Sequence, residues 1–171
     1  MNKNIRLCLV GACLSLSPFV FAQNGARVYE NSGKFSYCPP SGWNATEFPG
    51  LKYKIVFGPT EGNFTANINF VDESYNGSLQ SYIDDNLAQL ESILPSHELV
   101  NRSVFRTNSG ITGERVIIKN VQYGFLLRQV FYFFPAPNNT YFVITCSVLD
   151  NAAESYLPVF DESIKTFELT R

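Results

Sequence analysis

Between Glu98 and Val148 the chain reads as strand after strand: Leu99–Thr107, Ile111–Val121, Phe125–Phe134 and Tyr141–Val148. Only Asn108-Ser109-Gly110, Tyr123-Gly124 and Pro135–Asn139 separate them. Breaks this short leave no room for a crossover, so neighbouring strands must pair antiparallel as hairpins. A sheet built this way needs apolar cover on its faces, and the rest of the chain supplies it.

Lys34–Tyr37 reads as a short strand, stopped by Pro39-Pro40 and Ser41-Gly42, because proline cannot donate to a ladder. Trp43, the single tryptophan, follows that turn and is expected to pack on the core. Leu51–Phe57 alternates and is expected to end at Gly58-Pro59, with Pro59–Gly62 as a hairpin loop. Asn63–Val71 alternates again, placing Phe64, Ala66, Ile68 and Phe70 on one face.

Two helices complete the pattern. Ser78 suits an N-cap, and Leu79, Tyr82, Ile83, Leu87, Leu90 and Leu94 follow at helical steps until Pro95. Asp84 and Asp85 near its start are expected to complement the helix dipole, while Gln80, Asp84, Gln89 and Glu91 form a solvated face. Ala152–Lys165 carries Tyr156, Phe160 and Ile164 at helical spacing, with Pro158 in its early part. About seven strands and two helices laid on a largely antiparallel sheet give an α+β architecture.

The first 22 residues read as an address rather than structure. Lys3 and Arg6 form a positive n-region, Leu7–Leu16 a short apolar core, and Val20-Phe21-Ala22 a signal-peptidase site that cuts between Ala22 and Gln23. The apolar stretch falls short of the roughly 20 residues of a membrane span. Val10-Gly11-Ala12-Cys13 also resembles a bacterial lipobox, whose cysteine is lipidated, so attachment to a membrane through Cys13 stands as the alternative. The expected organisation is a signal peptide over 1–22, a loose polar leader over 23–32, and one domain over 33–169. The expected location is the periplasm or the medium, or a lipid anchor in the envelope.

Export removes Lys3 and Arg6 along with Cys8 and Cys13, leaving 11 basic against 15 acidic side chains and two cysteines. A net acidic chain offers no support to a nucleic-acid ligand. Cys38 and Cys146 enter an oxidising compartment. Either they bridge, closing a loop of about a hundred residues worth on the order of 4 kcal/mol, or they remain separate buried thiols.

Few groups could carry chemistry. His97 is the only histidine, so a histidine metal site lacks its second ligand, and it reads as an exposed loop residue. Asp72-Glu73, Asp84-Asp85 and Asp161-Glu162 are adjacent pairs that cannot face one another as acid and base, and distant ones would have to meet in the fold. No EF-hand spacing or glycine-rich phosphate loop occurs, so no cofactor is expected. Phe131-Tyr132-Phe133-Phe134 reads as a central strand covered on both faces, with a ligand groove or partner surface as the alternative. The N-x-S/T triplets at Asn44, Asn63, Asn76, Asn101 and Asn138 are read as ordinary turn and strand asparagines.

The order of these signals resembles the PsbP-like superfamily. It runs from Cys38-Pro39-Pro40-Ser41-Gly42-Trp43 through the strand closed by Gly58-Pro59 to the asparagine-rich Ala66-Asn67-Ile68-Asn69-Phe70-Val71. Ser78-Leu79 with Tyr82, then Tyr141–Thr145, and finally Ser163–Phe167 complete the match. The resemblance implies an α/β/α sandwich around an antiparallel sheet. It also implies a mostly non-catalytic group: photosystem extrinsic subunits, a Ran-binding nuclear-transport relative, and exported bacterial proteins. No catalytic or binding residue carries over by motif. The function expected is an exported, non-enzymatic binding or assembly module with a protein partner in the cell envelope. The alternatives are a small-ligand or lipid binder with an apolar cleft between sheet and helix, and a hydrolase built on distant carboxylates.

Overall fold

The computed structural model describes residues 24–170 except 31, 33 and 95, so Cys13, Ala22 and Gln23 lie outside the described residues. Three short strands come first, β1 (Val28–Glu30), β2 (Phe35–Tyr37) and β3 (Asn44–Thr46), followed by β4 (Ile55–Glu61) and β5 (Phe64–Ser74). Helix α1 (Leu79–Ile93) leads to β6 (Glu98–Arg106), β7 (Thr112–Gln122), β8 (Phe125–Ala136) and β9 (Thr140–Leu149). A 3-10 turn at Asp150–Ala152, helix α2 (Ala153–Lys165) and β10 (Glu168–Leu169) close the chain.

Seven strands form one sheet in the order β3-β4-β5-β9-β8-β7-β6, antiparallel throughout. The hairpins expected over residues 98–149 are all present. At the β7–β8 turn Tyr123 and Gly124 hold φ of 51° and 82°, the two positive angles that a two-residue type I′ turn requires. Between β5 and β6 the chain must cross from mid-sheet to the far edge, and α1 makes that crossing. Ser78 caps it, its Oγ accepting from the Ser81 N–H at 3.1 Å.

Alternation along β8 divides the core in two. Phe131 and Phe133 face α1 and meet Tyr82, Ile83, Val116, Ile118, Tyr141 and Val143. Tyr132 and Phe134 face the other way, into a larger cluster with Phe70, Phe142, Ile144, Phe160 and Phe167 beneath α2. Each fully buried aromatic contributes about 1.5–3 kcal/mol of transfer free energy. The aromatic run Phe131–Phe134 is therefore covered on both faces, none of its members more than 7% exposed. A second sheet, β1-β2-β10, adds Phe35 and Tyr37 to the α2 side.

Three local expectations change, and a fourth point concerns Pro158. The leader is not loose over residues 24–30: β1 pairs antiparallel with β2, and Arg27 binds Glu168 at 2.8 Å. Gly58-Pro59 does not end its strand. It sits inside β4 where the pairing with β5 shifts register between Phe57 and Thr60, and a bulge is one of the strand positions that tolerate a missing N–H. Asp84 and Asp85 fall beyond the first turn of α1, which holds no acidic residue. They serve instead as partners, Asp84 for Arg102 at 2.7 Å and Asp85 for the Tyr75 hydroxyl at 2.6 Å. Pro158 lies inside α2 on its exposed side, where water can serve the carbonyl it leaves unpaired.

Candidate functional site

The face of the large sheet that meets α1 changes character along its length. Under the helix it presents Val116 and Ile118 from β7, Phe131 and Phe133 from β8, and Tyr141 and Val143 from β9. Past the helix the same strand faces continue as Asn120 and Gln122, Gln129, and Ser147, while β5 brings Asn67 opposite Ser147. Four adjacent strands thus turn from apolar to neutral polar at one level of the sheet. Much of this floor is not ordinary solvated surface: Asn120 is 0% exposed, Ser147 5% and Gln129 7%.

A hydrogen-bonded ladder holds the floor. Asn120 Nδ2 donates to Gln129 Oε1 at 2.8 Å, Gln122 Nε2 donates to the same oxygen at 3.2 Å, and Gln129 Nε2 donates to Ser147 Oγ at 3.0 Å. Asn67 Nδ2 donates to the Thr65 carbonyl at 3.0 Å. Asn120 Oδ1 is buried without a partner. Such networks fix side-chain orientation, since a buried amide that loses its partner is costly.

Above the ladder lies an open groove of about 280 Å³. Its polar lining is Asn67, Asn69, Gln122, Gln129 and Ser147, and its apolar lining includes Phe64, Phe125 and Leu127. Phe64 and Phe125 pack together with ring centres 5.6 Å apart. Tyr123 stands at the rim, 97% exposed and with φ of +51°. No charged side chain lines the groove.

The residues singled out in the sequence lie elsewhere. Cys38 and Cys146 are free thiols, not a bridge. Cys146 is fully buried on β9 in the α2-side core, and burial pushes its thiol well above the usual value. Cys38, half-buried after β2, donates its N–H to Thr166 Oγ1 and accepts from Ser163 Oγ. His97 is half-buried rather than exposed, with Nε2 buried and unpartnered. It borders a groove of about 370 Å³ between α1 and β6 that also holds Leu87, Leu99, Asp84 and Glu91.

The carboxylates are distributed into separate contacts. Asp72 pairs with Lys52 at 2.7 Å, Glu73 accepts from Tyr82 at 2.7 Å, and Glu162 pairs with Lys165 at 2.6 Å. Arg102 binds both Asp84 and Glu114, and its hydrogen bond holds the Asp84 carboxyl below the usual range. Asp161 accepts from Tyr132 Oη at 2.6 Å beside Arg115 at 2.8 Å. Among the described residues no group of three or more His, Cys, Asp or Glu is placed to hold a metal ion, and no helix is long and apolar enough to cross a membrane.

Sequence reasoning missed the amide floor. Its signal was available: Asn67 and Asn69 alternate with Ile68 and Phe70, and Asn120, Gln122 and Gln129 interrupt strands that are otherwise rich in Val, Ile and Phe. Only the register places them at one level.

No protein-family model matches the sequence, and no curated protein matches it either. Solved structures do. The solution structure of the cyanobacterial PsbP (CyanoP) of Synechocystis sp. PCC 6803 matches with a TM-score of 0.61, covering 94% of this chain and 98% of its own, at 11% identity. LpqN, involved in cell envelope biogenesis of Mycobacterium tuberculosis, matches with a TM-score of 0.60 over 86% of both chains at 14% identity. PA94 from Pseudomonas aeruginosa, of unknown function, gives 0.57 over 87% of this chain and 99% of its own at 16% identity. At such identities the likeness establishes the fold: the chain has the PsbP-like α+β sandwich that its motif order implies.

Proposed function

We propose that this chain is an exported, non-enzymatic binding or assembly module of the bacterial periplasm or extracellular space. The n-region, the short apolar core and the Val20-Phe21-Ala22 site support export, with a lipid anchor at Cys13 as the alternative route to the envelope. One observation carries the binding reading. The candidate carboxylates are dispersed into separate ion pairs and hydrogen bonds, whereas an open groove with an uncharged amide lining lies beside Tyr123. The envelope-related LpqN neighbour fits a partner in that compartment.

The lipid-binding alternative needs an apolar cleft between sheet and helix. The groove between α1 and β6 sets Leu87 and Leu99 beside Asp84, Glu91 and His97, and charged walls disfavour an acyl chain. A small-ligand reading therefore fits the amide-floored groove better.

Purification from the native envelope, with crosslinking and native mass spectrometry, tests the proposal. A stoichiometric protein partner or a co-purified small molecule supports it, and the same spectra report whether the mature chain starts at Gln23 or at a lipidated Cys13. Turnover of an envelope substrate that falls on Asp84→Asn or Asp161→Asn would overturn it.

A further inference from the structure

We propose that the groove past the end of α1 binds an uncharged carbohydrate, one sugar ring lying on the amide floor with an aromatic side chain against its C–H face. The inference rests on the binding-module reading and names its ligand class. Three properties of the lining select that class. First, it holds no Lys, Arg, His, Asp or Glu, so phosphates, carboxylates and amines find no counter-charge. Second, Asn69 and Gln122 set half-buried side-chain amides on the lining, and an amide's donors beside its acceptor are the arrangement that two neighbouring hydroxyls of a sugar can satisfy together. Gln129, whose Oε1 already accepts from Asn120 and Gln122, supports them from below. Third, Phe125 and Tyr123 flank these amides, and aromatic faces suit the apolar side of a pyranose while offering large contact area at low entropy cost.

Size and rigidity agree. About 280 Å³ lies just below the range for drug-sized small-molecule pockets, room for a single ring or the terminal unit of an oligosaccharide. Gln129 is fixed by three hydrogen bonds before any ligand arrives, which lowers the ordering cost of binding.

Tyr123 supplies an independent observation. A type I′ turn favours Asn or Gly at its first central position, and positive φ in a bulky residue is a genuine outlier that persists at functional sites. Here the outlier is also 97% exposed, so folding gives no reason for an aromatic ring there. A stacking platform at the groove rim gives one.

The mature protein, labelled with nitrogen-15, is titrated with maltotriose, cellotriose and triacetylchitotriose at millimolar concentrations. At least one is expected to give saturable shifts in the side-chain amides of Asn67, Asn69, Gln122 and Gln129. Tyr123→Asn, which suits the turn better, is expected to weaken that binding about tenfold or more while raising the unfolding midpoint. Absence of shifts with all three sugars, or shifts that survive Tyr123→Asn unchanged, would overturn the inference. If the sugars fail but an envelope protein is captured and then lost on Tyr123→Asn, the carbohydrate inference falls and the binding-module reading stands. Carboxylate-dependent turnover would sink that reading and leave the sugar shifts as they are.

Discussion

Trp43 lies against the backbone of Gly58: a Cβ at position 58 would fall 2.4 Å from indole Cε2. The ring also meets Phe160 and Tyr156 of α2 in edge-on contacts at 5.9 and 6.1 Å. One glycine in β4 therefore leaves room for the ring of Trp43, which directly precedes β3, between sheet and helix.

Gly58→Ala should lower stability by about 1–3 kcal/mol, the usual cost of forcing an extra carbon into packed space, read as a reduced urea midpoint at unchanged slope. In a Trp43→Ala background the same change should cost far less, because the colliding ring is gone. An equal penalty in both backgrounds would place the problem in the β4 bulge rather than in the ring.

Gln129→Ala should destabilise by about 1–3 kcal/mol. It leaves the Asn120 amide, itself fully buried, without its acceptor and strips Ser147 of its donor. Asn67→Ala, at a half-buried position whose bond is to a local carbonyl, should cost less. Denaturant titration of the two variants checks the order, and equal losses would mean that the ladder adds nothing beyond its individual bonds.

The sheet and both helices were legible because their signals are local. Hairpin breaks fixed antiparallel pairing, Ser78 and the Leu79–Leu94 stripe fixed α1, and the motif order pointed to the right fold. What stayed hidden depends on tertiary register. β1 is a strand only because β2 offers it a partner, and its three residues, Val-Tyr-Glu, are too few to carry a period of their own. Gly58-Pro59 reads as a stop until the bulge shows that this stretch needs no ladder donor. The amide floor is invisible in one dimension because its members come from β5, β7, β8 and β9, separated by up to 80 residues of chain.

Asp150 links the end of β9 to β7 and β8, with Arg128 Nη2 at 2.6 Å and Lys119 Nζ at 3.1 Å. Burial pushes its carboxyl up, but the hydrogen bonds from Arg128 and Lys119 outweigh that and hold it below the usual value. A carboxyl lowered in the folded state stabilises above its unfolded value, about 3.9, and loses that contribution as pH falls through the folded one. Asp150→Asn should therefore be less stable than the parent at neutral pH and converge with it below about pH 4. Urea midpoints measured from pH 7 to pH 2 check this, and a gap independent of pH would assign the effect to geometry instead of charge.

The two thiols should react on different clocks. Thiolate is the nucleophile, and at Cys146 burial and then the Asp161 charge keep the proton on, with Arg115 opposing weakly. Alkylation of the native protein should label half-buried Cys38 before Cys146, and reach Cys146 only as fast as the chain unfolds. Unfolding without reductant should then expose both to iodoacetamide. A protein from the oxidising envelope that labels at neither cysteine until it is reduced would show that Cys38 and Cys146 bridge there. Such a bridge would tie β9 to the end of β2. The bridged form should then unfold at a different midpoint from the reduced one, because the cross-link constrains the unfolded chain.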